Sequence, residues 1–353
     1  MENILITGGA GFVGSSLGIL FKKEFPKIKI TAFDNLKRRG SEINISRIKD
    51  YGINFVHGDI RIKEDLNQVG EFDLLIDCAA EASVQAGLIT SPGYVIDTNL
   101  NGTINCLELC RIHKAKLIFL STSRVYPIKT LNEISYIESE TRFNISNKNI
   151  NGVTCEGISE KLLLNGFRSL YGTTKLASEL LISEYNQMYG LQAIINRCGV
   201  LTGPWQMGKV DQGFIVLWVA QHLFNGKLSY NGFGAEGKQV RDILHVNDLY
   251  NLLKEQISDF NKFDDNIYNI GGGIKNSLSL FELTKICEKI TGNHIEIIKN
   301  IETNKFDIPI YISDNSKIKA MSEWEPKITI PEIIDEIHEW IINNYDALKS
   351  ILK

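Results

Sequence analysis

The chain has 353 residues, 43% of them hydrophobic and 23% charged, which is the composition of an ordinary globular protein. Its net charge of −4 and pI of about 5.9 offer no basic surface for nucleic acid, so we expect no such partner, while a phosphorylated small molecule stays compatible with them. The six cysteines and six histidines show none of the spacings typical of metal sites, so we expect no metal.

Short apolar runs alternate with helical patterns through the first 200 residues or so. The runs are 3–7, 28–34, 53–59, 73–80, 115–121 and 191–197, and helix candidates lie at 12–24, 43–50, 94–112 and 171–189. Continuous apolar runs are typical of strands buried on both faces, and their alternation with helices predicts a parallel sheet covered by helices. Right-handed crossovers then give an α/β, doubly wound fold of the Rossmann type.

The pattern changes after about residue 200. Gly-rich loops at 201–213 and 231–242 flank a helix, Ser279 and Glu282 form a capping box, and 330–349 is an amphipathic helix. No apolar run approaches the roughly 20 residues that span a bilayer, and no signal peptide precedes the first strand, so we expect a cytoplasmic protein without a membrane partner.

A glycine-rich segment links the first strand to the first helix. Residues 7–17 read TGGAGFVGSSL, with Gly8, Gly11 and Gly14 at three-residue spacing. Glycines there allow a tight turn and let backbone amides approach a pyrophosphate at the helix N-terminus. The strand, the helix and the distance to the next strand all agree with a dinucleotide site. We therefore predict a cofactor-binding domain over 1–198, to which 238–262 returns, and a smaller C-terminal α/β lobe over 199–353 for the substrate.

Asp34 ends the second strand, about 20 residues after the glycines. A carboxylate at that point binds ribose hydroxyls and repels a 2′-phosphate, so we expect NAD rather than NADP. The basic run 37–39 is interpreted as a solvated surface or as a clamp on the adenosine. The alternative for Asp34 is a helix cap.

The segment RSLYGTTKLASE, residues 168–179, sets Tyr171 four positions before Lys175 on one helix face. A tyrosine pKa of about 10 is too high for a base at neutral pH, and a neighbouring ammonium lowers it. Lys175 is also placed to hydrogen-bond the nicotinamide ribose. Thr122, at the end of the preceding strand, is placed to hydrogen-bond the reacting hydroxyl. The alternatives are a surface Tyr–Lys pair and an ordinary strand-end hydroxyl.

The GxxGxxG spacing resembles that of the short-chain dehydrogenase/reductase superfamily, and the resemblance spans most of the chain. Its further segments are HGDI (57–60), DCAAEASV (77–84), NLNGT (99–103), STSRVY (121–126), YGTTK (171–175), VRDILHVNDL (240–249) and YNIGGG (268–273). The last two resemble the extended members that act on nucleotide-sugars. Asp77 stands where the family usually has a histidine.

The resemblance implies site residues and a tightly bound NAD that is recycled. The implied catalytic residues are Thr122, Tyr171 and Lys175. The implied NAD-binding residues are Gly8, Gly11, Phe12, Val13, Gly14, Asp34, Asn35, Asp59, Ile60, Ala79, Ala80, Asn99, Tyr171, Lys175 and Cys198. The implied substrate-binding residues are Thr122, Ser123, Arg124, Gln212, Arg241 and Lys305.

The residues after Thr122 bear on the reaction. The family's 4,6-dehydratases follow this threonine with an Asp–Glu pair that eliminates water, whereas Ser123 and Arg124 stand here. An epimerase needs only transient oxidation and hydride return, with Tyr171 serving both directions. Segments 203–214, 237–249, 276–283, 139–142 and 157–160 resemble CDP-paratose 2-epimerases, also called CDP-tyvelose epimerases, more than UDP-galactose 4-epimerases. The resemblance implies inversion at C2 of a CDP-linked (dideoxy)hexose, a precursor of lipopolysaccharide O-antigen.

Alternatives to this reading are a nucleotide-sugar 4-epimerase, a net NAD-dependent dehydrogenase, and an NAD-binding regulator without turnover. The chain also departs from its relatives: Asn304 and Lys305 replace an arginine that helps to hold the diphosphate, and Val200 replaces an asparagine. Arg241 is then the best candidate for the diphosphate, and its alternative is an internal Arg–Asp salt bridge. The relatives associate through two long helices, here 94–112 and 171–189, which implies a homodimer or homotetramer.

Overall fold

The computed structural model describes residues 2–88, 91–146, 149–209 and 212–352. In that part of the chain the strands are β1 (Asn3–Thr7), β2 (Lys29–Asp34), β3 (Asn54–His57), β4 (Leu74–Asp77), β5 (Lys116–Thr122), β6 (Tyr136–Glu138), β7 (Phe143–Ile145), β8 (Ala193–Cys198), β9 (Val200–Thr202), β10 (Leu228–Asn231), β11 (Val240–His245), β12 (Asn266–Ile270), β13 (Ser277–Ser279), β14 (Ile297–Asn300) and β15 (Ile310–Tyr311). The α-helices are α1 (Phe12–Glu24), α2 (Ile43–Asp50), α3 (Lys63–Leu66), α4 (Pro92–Ile96), α5 (Gly102–His113), α6 (Ile128–Asn132), α7 (Leu170–Tyr189), α8 (Phe214–Leu223), α9 (Val246–Ser258), α10 (Phe260–Phe263), α11 (Leu280–Thr291), α12 (Ser316–Met321), α13 (Ile330–Asn343) and α14 (Tyr345–Leu352).

A seven-stranded sheet forms the centre of the first of two units, which comprises residues 1–125, 169–197 and 249–268. The strand order is β3-β2-β1-β4-β5-β8-β12. β1 runs parallel to both β2 and β4, and the pairs β2–β3 and β4–β5 are parallel as well. The predicted doubly wound fold is therefore confirmed. The order reverses between β1 and β4, and the crevice at such a point is where open α/β sheets bind ligands.

The core of this unit explains why the apolar runs are strands. Leu5, Leu75 and Leu117, which are paired in register on three adjacent strands, are at most 1% exposed. They belong to one hydrophobic cluster with Cys106 and Cys110, which lie one turn apart on α5. The continuous apolar runs are thus covered on both faces, as expected of a parallel sheet.

Three of the predicted helices agree closely with α1, α2 and α7, and the fourth is interrupted. Between α4 and α5 the chain makes a π-helical turn at Asp97–Asn101. The helical segment from 92 to 113 therefore has three parts, because one turn carries an extra residue. Among the described residues, no helix has the length and apolarity that crossing a membrane requires.

The second unit comprises residues 126–168, 198–248 and 269–353. Its largest sheet places β11 beside β13, β15 and β9. Two smaller sheets pair β10 with β14 and, in an antiparallel ladder, β6 with β7. The capping box of Ser279 and Glu282 is confirmed at the start of α11.

The unit boundaries in the structure differ from those drawn on the sequence. Residues 126–168 group with the second unit rather than with 1–198, and the returning segment is 249–268 rather than 238–262. The reason is a set of long-range bonds: Arg142 Nη1 donates to the Ser277 carbonyl at 3.0 Å, and Ser279 Oγ donates to the carbonyl of Thr141 at 2.8 Å.

Candidate active site

The loop between β1 and α1, with Gly8, Gly11 and Gly14, is called the glycine cradle here. At Gly8 and Gly14 it has no room for a side chain. Gly8 has a φ of +63°, and a Cβ there would lie 2.8 Å from the carbonyl carbon of Cys78. A Cβ on Gly14 would lie 2.3 Å from the oxygen of Gly8. Gly11 is the N-cap of α1 and supplies no side-chain cap, and the first turn, with Phe12 and Val13, carries no acidic residue. Such an open helix N-terminus suits a pyrophosphate, so the loop fits a dinucleotide.

Asp34, the last residue of β2, closes one side of this cradle. Its Oδ2 accepts a hydrogen bond from Ala10 N at 3.1 Å and its Oδ1 accepts one from Leu36 N at 2.7 Å. Burial raises the pKa of this carboxyl, and the backbone bonds oppose that effect. The backbone N–H of Gly11 is a third donor to this carboxylate, which has about four acceptor sites and so retains acceptor capacity for a ribose hydroxyl. The helix-cap alternative is not observed, because the N-cap of α2 is Glu42.

A second carboxylate, Asp59, lies beside Asp34 in the predicted adenosine site. Asn35 Nδ2 donates to Asp59 Oδ2 at 2.9 Å, and Arg61 Nη2 lies 2.6 Å from the same oxygen. Burial acts to raise the pKa of Asp59, but the bonds from Arg61 and Asn35 prevail and lower it to about 2. The Arg61 guanidinium also lies 5.1 Å from the ring centroid of Tyr94. Arg61 and Tyr94 were missed by sequence reasoning, although a basic residue two positions after Asp59 was a usable signal.

The side chain of Ile60 is a packing element. It is 6% exposed, and a Cβ on Gly102 would lie 2.5 Å from its Cδ1. Its carbonyl accepts a hydrogen bond from Asn105 Nδ2 at 2.9 Å. Ile60 therefore packs against α5, whereas Asp59 makes the polar contacts of this turn.

Asp77, where the sequence departs from its relatives, ties two central strands together. Its Oδ1 accepts hydrogen bonds from Thr7 Oγ1 at 2.7 Å and from Ala79 N at 3.1 Å. Ala79 in turn lies against Gly8, since a Cβ on that glycine would be 2.9 Å from Ala79 N. Ala80 is exposed. By holding Ala79 N, the Asp77 carboxylate therefore fixes the backbone that borders Gly8 in the glycine loop.

The predicted catalytic pair lies at the start of α7. Ser169 caps this helix by accepting a hydrogen bond from Gly172 N at 3.2 Å, which puts Tyr171 in the first turn. Tyr171 is 9% exposed and Lys175, one turn later, is 2% exposed. Their four-residue spacing places both side chains on one face of α7.

Thr122 is the last residue of β5 and is 7% exposed. Its Oγ1 accepts a hydrogen bond from Arg124 N at 3.2 Å, a contact that uses a lone pair of the hydroxyl and not its proton. Lys175 Nζ lies 3.8 Å from the ring centroid of Phe119, which is three residues before Thr122 on the same strand. The structure thus brings β5 and the catalytic turn of α7 together. Ser123 and Arg124 follow Thr122 in a half-buried 3₁₀ turn.

Asn99, in the π-helical turn, is hydrogen-bonded to α7 and to the segment that follows β4. Its Oδ1 accepts from Glu81 N at 2.8 Å, and its Nδ2 donates to the Glu81 carbonyl at 3.0 Å and to Thr174 Oγ1 at 3.2 Å. Thr174 Oγ1 itself donates to the carbonyl of Tyr171 at 2.9 Å. Both amide hydrogens of Asn99 are engaged, so the side chain fixes these two segments to one another.

The remaining predicted residues belong to the second unit. Cys198 ends β8 and is buried. Arg241, on β11, forms an ion pair with Asp307 at 2.9 Å, which is the internal Arg–Asp pair considered as its alternative. Lys305 is exposed, and the Gln212 backbone exchanges hydrogen bonds with that of Lys209. Within this unit, therefore, Arg241 and Lys305 both neighbour the segment around Asp307, and Gln212 lies in a separate loop.

A buried network beneath the catalytic pair was also missed by sequence reasoning. Glu179, on α7, contacts Ser121 of β5 and Arg197 of β8. The available signal was the spacing, because Glu179 follows Lys175 by the same four residues that separate Tyr171 from Lys175.

Comparison with known proteins agrees with this geometry. Residues 4–271 match the model of the NAD dependent epimerase/dehydratase family. CDP-paratose 2-epimerase of Salmonella typhi is 32% identical over 346 residues, which cover 96% of this chain and 98% of that protein. UDP-glucuronate 4-epimerase of Thermodesulfobacterium geofontis is 27% identical over 366 residues, covering 99% of each.

A solved structure has the same fold along the whole chain. The dTDP-glucose 4,6-dehydratase of Bacillus anthracis, in complex with NAD, superposes with a TM-score of 0.77 at 28% identity and covers 100% of both chains. The glycine cradle, the carboxylate at the end of β2 and the Tyr–Lys helix suit that cofactor here. The chain belongs to the NAD dependent epimerase/dehydratase family, with NAD as its cofactor.

Proposed function

We propose that this protein is a nucleotide-sugar epimerase that inverts C2 of a CDP-linked (dideoxy)hexose through a transient 2-keto intermediate. The observation that carries the proposal is the buried set of Thr122, Tyr171 and Lys175, all supplied by one unit. In that set the threonine is followed by Ser123 and Arg124, without a carboxyl pair.

In the proposed reaction Tyr171 is both base and acid. Its phenolate takes the proton of the C2 hydroxyl while Thr122 hydrogen-bonds the same oxygen, and Lys175 stabilises the phenolate charge. Bound NAD supplies a hydride acceptor and then a hydride donor. When C2 is reduced on its opposite face, Tyr171 returns the proton to the oxygen. Proton and hydride are both restored, so the cycle consumes no cofactor.

Elimination of water is disfavoured by the residues after Thr122. A dehydratase needs a group to remove a carbon-bound proton and a group to protonate the leaving hydroxyl. Ser123 is not ionised near neutral pH, and the Arg124 guanidinium does not give up its proton. These side chains support an epimerase in preference to a dehydratase.

The nucleotide and the ring carbon are supported by similarity. The full-length relationship to CDP-paratose 2-epimerase, at 32% identity, favours CDP and C2. A 4-epimerase is the second candidate, favoured by the full-length match to UDP-glucuronate 4-epimerase at 27% identity. For the substrate diphosphate we propose Arg241, whose planar fork suits phosphate oxygens and would exchange its ion pair with Asp307 for them on binding, with Lys305 as an additional charge.

The test is incubation of the purified protein in D₂O, without added NAD, with CDP-paratose, UDP-glucuronate and dTDP-glucose in separate reactions. We expect proton NMR to show C2 inversion of the CDP sugar alone, with no solvent deuterium at C2, because the hydride returns to the carbon it left. Inversion at C4 would replace the proposal by the second candidate. Stoichiometric dependence on added NAD would indicate a net dehydrogenase, and NAD binding without any conversion would indicate a regulator.

A further inference from the structure

The helix that carries the catalytic pair has a third buried polar residue on the same face. Tyr171, Lys175 and Glu179 follow one another at four-residue intervals, so their side chains lie in one row along α7. Glu179 is 2% exposed. A carboxylate at such depth requires partners, because an unpaired buried charge is costly.

Two strands of the central sheet supply those partners. Ser121 Oγ, on β5, donates to Glu179 Oε1 at 2.5 Å. Arg197, at the C-terminal end of β8, donates through Nε to both carboxylate oxygens at 3.1 Å and through Nη2 to Oε2 at 2.6 Å. Arg197 is 3% exposed and Ser121 is 4% exposed. The three residues form a closed polar network between one helix and two strands.

The network is poorly explained by stability alone. A buried ion pair gains little net free energy, because desolvation of both charges offsets their attraction, and apolar side chains of similar volume often serve as well. What such a network provides is direction, since a bidentate guanidinium and a short O–H···O⁻ bond fix distance and angle together.

The network lies next to the residues that we propose to be catalytic. Ser121 immediately precedes Thr122, and Glu179 lies on the same rigid helix as Tyr171, eight residues away. With a rise of about 1.5 Å per residue, any tilt of α7 at Glu179 is carried about 12 Å to the catalytic turn. Even a small tilt therefore displaces the reacting groups, and about 1 Å of misplacement at a reacting centre costs roughly a hundredfold in rate.

We propose that Ser121, Glu179 and Arg197 are positioning residues that lock α7 onto β5 and β8, and so set Tyr171 and Lys175 in register with Thr122. The rate consequence rests on the proposed function. The structural consequence, a locked first turn of α7, does not.

The principal variant is Ser121→Ala, which removes the 2.5 Å bond and leaves the ion pair in place. Ser121→Thr restores a hydroxyl and is the rescue. The matched control is Tyr185→Phe, which removes a hydroxyl–carboxylate bond of 2.6 Å from the same helix to Glu108, at the end far from Tyr171.

For Ser121→Ala we expect kcat to fall about tenfold while KM stays within about twofold, since only the alignment of reacting groups is lost. Ser121→Thr regains most of kcat, and Tyr185→Phe keeps it. In the NAD-bound protein, amide hydrogen exchange of residues 169–176 accelerates in Ser121→Ala and not in the control, while the melting temperature falls by no more than a few degrees. Equal kcat and equal exchange in Ser121→Ala and Tyr185→Phe would overturn the inference.

The double variant E179M/R197M separates positioning from stability. Two apolar side chains of similar length fill the site without charge, so the fold is expected to persist while the directional bonds are lost. We expect a melting temperature near that of the unaltered protein and the same fall in kcat as for Ser121→Ala. Full kcat in this variant would contradict the proposal. Should the unaltered protein convert no nucleotide-sugar, the proposed function fails, and the exchange rates of 169–176 still decide the inference.

Discussion

Tyr171 is the residue on which the proposed chemistry depends most directly. Tyr171→Phe keeps the buried ring and removes the hydroxyl that exchanges the proton, so we expect kcat to fall by about 10²–10⁴-fold with NAD still bound. The measurement is turnover by NMR, together with the absorbance of cofactor released from denatured protein. Tyr185→Phe, on the same helix, is the control and is expected to keep its activity. Undiminished turnover of Tyr171→Phe would remove this residue from the mechanism.

Asp242 gives a residue-scale prediction about pH. It is 0% exposed and accepts hydrogen bonds from Ser313 N at 3.1 Å and from Gly273 N at 3.2 Å. Burial raises its pKa from 3.8 to about 6 against those bonds. The folded state therefore holds this proton more tightly than the unfolded state. Its contribution to the free energy of unfolding falls as pH rises through the interval from about 4 to about 6, by up to about 3 kcal/mol.

Asp242→Asn cannot ionise and so lacks this loss. We expect the free energy of unfolding of the variant minus that of the unaltered protein to be larger at pH 7.5 than at pH 4.5. Urea titration at both pH values measures this difference. A difference between the two proteins that is the same at both pH values would show that Asp242 does not carry the effect.

At the scale of elements, α1 contains two glycines with different constraints. A Cβ on Gly14 would lie 2.3 Å from the backbone oxygen of Gly8, whereas one on Gly18 would lie 3.3 Å from Cδ1 of Ile53, the end of a flexible side chain. We expect Gly14→Ala to open the cradle and weaken NAD binding by tenfold or more, about 1.4 kcal/mol or more. Gly18→Ala, the matched control, gains helix propensity and is expected to keep NAD. Calorimetric titration with NAD distinguishes them, and equal affinities would refute the assignment.

The sequence predicted those elements whose signals are local. The glycines before α1 and the apolar runs of the central strands indicate their own structure, because burial on both faces leaves a continuous apolar run. The π-helical turn has no such signal, since its extra residue is compatible with the same composition. The grouping of residues 126–168 with the second unit was not predicted for another reason. Their partners are distant in the chain, as Ser277 is for Arg142, 135 positions away.

The candidate site divides in the same way. Tyr171 and Lys175 could be predicted from their spacing within one helix, and Asp34 from its distance to the glycines. The bonds of Glu179 join three elements, with Ser121 lying 58 positions before it in the chain. A pattern confined to one segment cannot show which strand faces which helix, so the network appears only in the folded protein.

At the scale of the whole molecule, the prediction of a homodimer or homotetramer concerns exposed apolar residues on two helices. Leu180 and Met188 on α7 are 63% and 66% exposed, and Ile112 on α5 is 66% exposed. Such residues are costly in water and are expected to be covered by a second copy of the chain. Leu180→Lys should therefore shift the protein to its monomer mass in light scattering. Ile137→Lys, on β6 at 64% exposure, is the control and should leave the mass unchanged. A monomeric unaltered protein would contradict the prediction.

The π-helical turn at Asp97–Asn101 also makes this region sensitive to insertions and deletions. A π turn takes up one surplus residue by widening a single turn, so the residues inside that turn hold positions that a regular α-helix does not offer. Deleting a single residue between 97 and 101 would let the helix run through as an uninterrupted α-helix, and the residues of the turn would lose those positions. Asn99 would then be turned away from Glu81 and Thr174, the groups that it joins. A frame-preserving loss of three nucleotides here would consequently do more harm than most single substitutions in the same helix.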